Sequence, residues 1–162
     1  MVVVSDTSPL NYLVLIGHAD VLPQLFGRVL TVPAVVAELS HPGSPQIVRQ
    51  WVSAKPAWLE VRPPSSLEPS LRLGRGETEA ISLAHEIHAD VVLIDERKGT
   101  QAAEGLGLVV TGTLGVLQLA DEKGVLKLAE AIAELRLTTF RCTDSVVERL
   151  LRDADRWRGE KH

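Results

Sequence analysis

Short β-branched runs alternate with longer segments of helical period along most of the chain. Runs at residues 2–5, 29–32, 91–94 and 108–110 read as strands, and the alternating stretch 59–62 as an edge strand stopped by Pro63-Pro64. Strands separated by helical segments point to an α/β fold with a parallel sheet. The run 91–94 is apolar throughout, as a strand covered on both faces should be. Ser8-Pro9 reads as a cap followed by a first-turn proline, opening a helix that Gly17 closes. Asp20 opens a short second helix, Pro33 a third, and Ser44-Pro45 repeats the cap-plus-proline signal for a fourth. Residues 63–76, rich in Pro, Ser and Gly, read as a loop within one domain. An amphipathic helix with Ala80, Ile81, Ala84 and Ile87 at helical spacing follows it. Further helices are expected over 101–104, from Thr113 to near Gly124, and over 126–137 and 145–157. The expected architecture is a three-layer α/β/α fold with a central, mostly parallel sheet and extra C-terminal helices. Residues 1–140 form its domain, and 141–162 form a helical extension packed on or flanking it.

Composition narrows the function classes. The 162 residues suit one domain, and 45% hydrophobic with 23% charged residues is ordinary for a globular chain. No apolar run approaches the roughly 20 residues of a membrane helix, and the N-terminus lacks the basic start of a signal peptide. Cys142 is the single cysteine, so neither an internal disulfide nor a cysteine metal cage is available. A reduced, cytoplasmic protein with no membrane association is expected. The net charge of −4 and a pI near 5.7 argue against non-specific coating of nucleic acid. Aromatic residues at 4% are too few for a base-stacking single-strand platform.

In an open parallel sheet the ligand site lies beyond the carboxyl ends of the strands. Asp6 directly follows the first strand and Asp95 follows the run 91–94. Glu77, in the first turn of the helix preceding that run, belongs to the same edge. So does Glu38, in the helix leaving the second strand, and Thr111 and Thr113 follow the last strand. Each acid alone has an ordinary reading. Asp6 suits a helix cap, and Glu77 and Glu79 suit first-turn acids favoured by the helix dipole. Glu38 reads as a solvated helix residue, and the stretch 95–98 as a loop with local ion pairs. Taken together, four carboxylates on one edge repel each other and call for a cation. Oxygen donors without His or Cys favour Mg²⁺ or Mn²⁺ over zinc, the equipment for phosphodiester hydrolysis.

Asp6-Thr7-Ser8 after an N-terminal strand, Glu38 after Pro33, the segment 76–81 beginning Gly76-Glu77-Thr78-Glu79, and Leu93-Ile94-Asp95 together resemble the PIN domain. The Thr-Gly-Thr-Leu-Gly segment at 111–115 places the resemblance nearest a branch that carries the same segment. It spans about residues 2–137. The resemblance implies a Mg²⁺- or Mn²⁺-dependent ribonuclease, often the VapC-type toxin of a toxin–antitoxin pair, usually homodimeric, with RNA as substrate and a small cognate antitoxin as partner. It implies Asp6, Glu38, Glu77 and Asp95 as metal ligands and catalytic residues, one of them orienting or deprotonating the attacking water. Ser8 would support Asp6 or a metal-bound water, with Thr111 and Thr113 in supporting positions. Toxin members often carry Asp where Glu77 stands, and a further acid after the fourth position, where this chain offers Glu96 and the two threonines. Residues two apart on a helix differ by about 200°, so only one of Glu77 and Glu79 can face the site. Glu77 is preferred, which leaves Glu79 to solvent.

Arg75, Arg97 and Lys98 flank the acidic motifs and are candidate phosphate contacts, with Arg72 beside them; each is equally an ordinary surface cation. The basic residues of 149–161 alternate with acids and read as a salt-bridged helix face. The histidines show no ligand spacing, Trp51 and Trp58 read as packing residues, and Trp157 as helix docking or a partner anchor. A haloacid-dehalogenase-type phosphatase needs Asp-x-Asp after the first strand, where Ser8 stands. A dinucleotide site needs Gly-x-Gly-x-x-Gly after a strand, whereas Gly105 and Gly107 precede one. The remaining rival is a non-catalytic PIN-like module that binds a metal or a protein.

Overall fold

Val3 and Val4 are adjacent in the first strand and therefore point to opposite faces of the sheet, yet both are wholly buried. A sheet covered on both faces follows, and this is what the β-branched runs require. The structure is a computed structural model that describes residues 1–160, with side chains through Arg156. Among the described residues a five-stranded, all-parallel sheet runs in the order β3-β2-β1-β4-β5. The strands are β1 (Val2–Ser5), β2 (Arg28–Thr31), β3 (Leu59–Val61), β4 (Val91–Leu93) and β5 (Val110–Thr111). Helices α1 (Thr7–Leu15) and α2 (Val21–Phe26) connect β1 to β2, and α3 (Pro33–Leu39) and α4 (Gln46–Ser53) connect β2 to β3. Helix α5 (Arg75–Glu86) precedes β4, and α6 (Arg97–Gly105) joins β4 to β5. The result is the expected three-layer α/β/α fold.

The chain divides into two compact units, 1–113 and the remainder from Leu114. In the first, Val3, Val4, Leu30, Val92 and Leu93 of the sheet are buried together with Leu10, Leu13, Val35, Ile81 and Leu83 of the helices. The second contains α7 from Leu114 onward (Thr113–Glu122), α8 (Leu128–Leu135) and α9 (Asp144–Glu160). Helix α8 buries Leu128, Ala131, Ile132 and Leu135, and α9 packs against it with Val147, Leu150 and Ala154 buried. No helix among the described residues is long and apolar enough to cross a membrane.

The helix starts differ from the cap-plus-proline reading. Helix α1 begins at Thr7, one residue before Ser8, and Pro9 falls in its first turn, where a missing N–H costs nothing. Helix α4 begins after Pro45 instead of at a Ser44 cap. Gly76 lies inside α5, whose cap position is Gly74. Trp51 and Trp58 pack on each other, ring centroids 5.8 Å apart. The expectations for Trp157, Arg158, Lys161 and His162 fall outside the described side chains.

Candidate active site

The strand order reverses between β1 and β4. Chain leaving β1 goes one way along the sheet and chain leaving β4 goes the other, which opens a crevice at their carboxyl ends. Asp6 and Asp95 follow these two strands. The Asp6 N–H donates to the Leu93 carbonyl at 2.9 Å, tying the two strand exits together. Asp6 occupies the cap position of α1 in extended conformation, but its side chain makes no capping hydrogen bond. It is buried, with 6% exposure. The helix-cap explanation for this acid is therefore absent.

Asp95 is held from two directions. The Ser8 hydroxyl donates to Oδ2 at 2.9 Å, while Thr113 donates its N–H to Oδ1 and its hydroxyl to Oδ2, each at 2.7 Å. The expectation for Ser8 is support of Asp6 or a metal-bound water; its hydroxyl bonds Asp95, with the earlier start of α1 placing Ser8 inside the first turn. Gly112 admits the Asp95 side chain; a β-carbon there would stand 2.7 Å from Oδ1. Thr111 contributes through its backbone, its carbonyl accepting from the Ile94 N–H at 3.0 Å. No hydrogen bond joins its side chain to the acids.

Glu38 and Glu77 come to the same edge from α3 and α5. The Thr7 hydroxyl donates to Glu38 Oε2, so this exposed acid is oriented toward the Asp6 segment. Its carboxylate lies against Gly76, where a β-carbon would stand 2.6 Å from Oε1. The Glu77 carboxylate lies against Gly99 in the first turn of α6, in contact range of any β-carbon placed there. Its Oε2 is buried and has no hydrogen-bond partner among the described residues. Glu79 turns the other way, to α3, as the helical separation requires. It is not left to solvent: at 7% exposure it accepts from the Ala34 N–H at 3.3 Å and pairs with Arg75 Nε at 3.0 Å.

The electrostatics follow from this crowding. Burial raises Asp6 from 3.8 to about 6 against the lowering effect of the Thr7 backbone N–H, and the charges of Glu38, Asp95 and Glu96 add to the rise. Burial likewise raises Glu77 from 4.5 to about 7, helped by a hydrogen bond with Glu96 and by the charges of Asp6, Glu96 and Glu38. Glu96 is thus a fifth acid of the cluster, and Thr7 a further support. Glu96 is what the sequence offers for a further acid after Asp95, and Thr7 was visible only as part of the Asp-Thr-Ser motif.

Among the described residues, no three Asp, Glu, His or Cys side chains stand in a ready-made metal-holding arrangement. The donor chemistry nonetheless fits a hard divalent cation. One buried carboxylate oxygen has no partner among the described residues, two carboxyls are pushed toward neutral pKa by burial and by neighbouring carboxylates, and every donor is oxygen. Asp6, Glu38, Glu77 and Asp95 are the residues that would hold it. Around them, Arg75 is largely exposed and pairs through Nε alone, while Arg97 and Lys98 are exposed at the start of α6. Neither Arg97 nor Lys98 forms an ion pair with Glu96 among the described residues.

Comparison with known proteins bears on the family and the fold. A family model described as PIN domain matches residues 2–156. Among solved structures, the chain is similar to a PilT N-terminus domain protein, SSO1118, from the hyperthermophilic archaeon Sulfolobus solfataricus P2. The TM-score is 0.53 at 16% identity, covering 88% of this chain and 100% of that one. At this identity the likeness speaks for the fold alone. No protein among the curated sequences matches.

Proposed function

The chain belongs to the PIN domain family, whose members are generally nucleases, and from that premise we propose that it is a Mg²⁺- or Mn²⁺-dependent endoribonuclease. One observation carries the proposal: carboxylates from four separate segments meet at the β1/β4 crevice, with Glu77 Oε2 buried and unpartnered among them. Bound there, a divalent ion supplies an acidified water and neutralises charge developing on a phosphodiester.

The chain's own groups would divide the remaining work. Asp6, Glu38, Glu77 and Asp95 hold the cation. Ser8 and Thr113 fix the plane of the Asp95 carboxylate, so that its orientation is set before any ligand arrives. One of these four carboxylates would orient the attacking water or take its proton. The water oxygen bonds to phosphorus, the bridging P–O bond breaks, and the leaving oxygen takes a proton from solvent. Arg75, Arg97 and Lys98 contact phosphates of the strand.

The same reading makes the protein a VapC-type toxin, homodimeric, cytoplasmic and paired with a small antitoxin. The test is cleavage of total cellular RNA by the purified chain with Mg²⁺ or Mn²⁺, against EDTA. Metal-dependent cleavage supports the nuclease; cleavage that persists in EDTA contradicts it. A second reading, a non-catalytic module binding a metal or a protein, is favoured by one observation. Both Asp95 oxygens already accept hydrogen bonds, which leaves this acid less free to ligate. Metal binding without cleavage of any RNA would favour that module.

A further inference from the structure

A groove of about 450 Å³ opens beside the acidic crevice, lined by Pro33, Ala34, Ala37, Glu38, His41 and Arg75. Its volume lies within the range of small-molecule sites, about 300–1,000 Å³. It is continuous with the candidate active site through Glu38, which belongs to both. Pro33 and Ala37 offer exposed apolar surface, and two polar groups stand at its rim. His41 is fixed by local geometry: its Nδ1 accepts from the Gly43 N–H at 2.9 Å, so Nε2 is the nitrogen left to donate. Arg75 spends only Nε on Glu79, at 3.0 Å, which leaves both Nη groups for a ligand.

We propose that this groove is a nucleotide subsite, receiving one nucleotide of the substrate strand next to the cleaved bond. The base lies over Ala37 and Pro33 with the His41 Nε2–H donating to its edge, and Arg75 takes the adjoining phosphate. Continuity with the acidic crevice and the two donors at the rim select this occupant. The rim presents a guanidinium and an imidazole donor, and the only acid in the lining, Glu38, faces the cation site that a phosphodiester must reach. The Arg75–Glu79 pair also fixes the guanidinium stem, which lowers the ordering cost of gripping a phosphate.

The inference rests on the nuclease reading for the occupant's role, and its test separates the two. The probes are the four nucleoside 5′-monophosphates, titrated in EDTA into the ¹⁵N-labelled full chain. The backbone amides of Ala34, Ala37 and Gly43 and the Arg75 Nε–H signal are followed. At least one nucleotide is expected to shift these signals, and Ala37→Trp, which fills the groove from an exposed position, to weaken binding at least tenfold. His41→Ala is expected to flatten the differences among the four bases while the phosphate contribution persists. An unchanged spectrum outside the groove certifies that each variant is folded. If millimolar nucleotide shifts none of these signals, or shifts only signals elsewhere, the subsite is overturned, whether or not RNA is cleaved. If the groove binds nucleotides but no RNA is cleaved with any divalent metal, the subsite stands and the nuclease reading falls.

Discussion

Thr113 holds Asp95 with both of its donors, the N–H on Oδ1 and the hydroxyl on Oδ2, each at 2.7 Å. Thr113 is wholly buried, so this grip is not shared with water. Thr113→Val keeps the shape and the N–H bond but removes the hydroxyl. Losing that bond should cost about 1 kcal/mol of stability. Support of this kind for an active carboxylate is worth roughly 10- to 100-fold, so RNA cleavage should fall by that factor. Thr113→Ser should restore most of it, which a purely structural role for the methyl group would not allow.

The contact between Glu77 and Gly99 offers a test that changes no candidate ligand. Gly99→Ala places a methyl group where Glu77 Oε2 now lies and 3.1 Å from Ile94 Cγ2. The Glu77 side chain can swing away, and alanine favours the helix by up to about 1 kcal/mol, so the fold should survive. Mn²⁺ affinity and cleavage should drop at least tenfold. Gly105→Ala, also in α6 and with open space around its β-carbon, is the matched control and should leave both unchanged.

Removing a charge from the cluster should strengthen the metal-free fold. Asp6→Asn eliminates a buried carboxylate that Glu38, Asp95 and Glu96 all oppose. A gain on the order of 1 kcal/mol corresponds to about 2–4 °C in Tm for a chain of this size. Thermal melts in EDTA near pH 7.5 measure it. Added Mg²⁺ or Mn²⁺ should raise the Tm of the unsubstituted chain and leave the variant nearly unmoved.

The same pKa values fix the sign of the pH dependence. Asp6 binds its proton more tightly folded, at about 6, than its ordinary value of 3.8, and Glu77 at about 7 against 4.5. The folded state therefore carries more protons in that window, and stability falls as pH rises through it. In EDTA, Tm should decline between about pH 5 and 7.5, and Asp6→Asn should flatten the slope. A Tm that rises across this range would contradict the cluster as described.

How much of this was legible in the sequence depends on what kind of contact is asked for. Asp6 and Asp95 were legible because a parallel sheet delivers every strand exit to one edge, and the apolar runs mark the exits. Helical geometry sends Glu77 and Glu79 to different faces but does not by itself say which of them faces the crevice. The fate of Glu79 was not legible. The cap position of α3 is Val32, which has no side-chain acceptor, so an N–H of its first turn takes Glu79 from a distant helix. The only trace of this in the sequence is a missing capping residue before Pro33. Ser8 reads as a support for Asp6 or a metal-bound water, and its bond to Asp95, 87 positions away, leaves no local trace in the sequence. Glu96 joins the cluster through its approach to Glu77, a pairing between α5 and the β4 exit that no local pattern records.

The central claim is that the Glu77 carboxylate, whose Oε2 is buried and unpartnered among the described residues, belongs to a divalent-cation site. Titration of Mn²⁺ into the purified chain, followed by electron paramagnetic resonance of the free ion, measures it without depending on any RNA. Saturable binding that weakens at least tenfold in Glu77→Gln, with the variant's melting curve intact, is the predicted result. Equal Mn²⁺ affinity in the two proteins, or no saturable binding in either, would contradict the account.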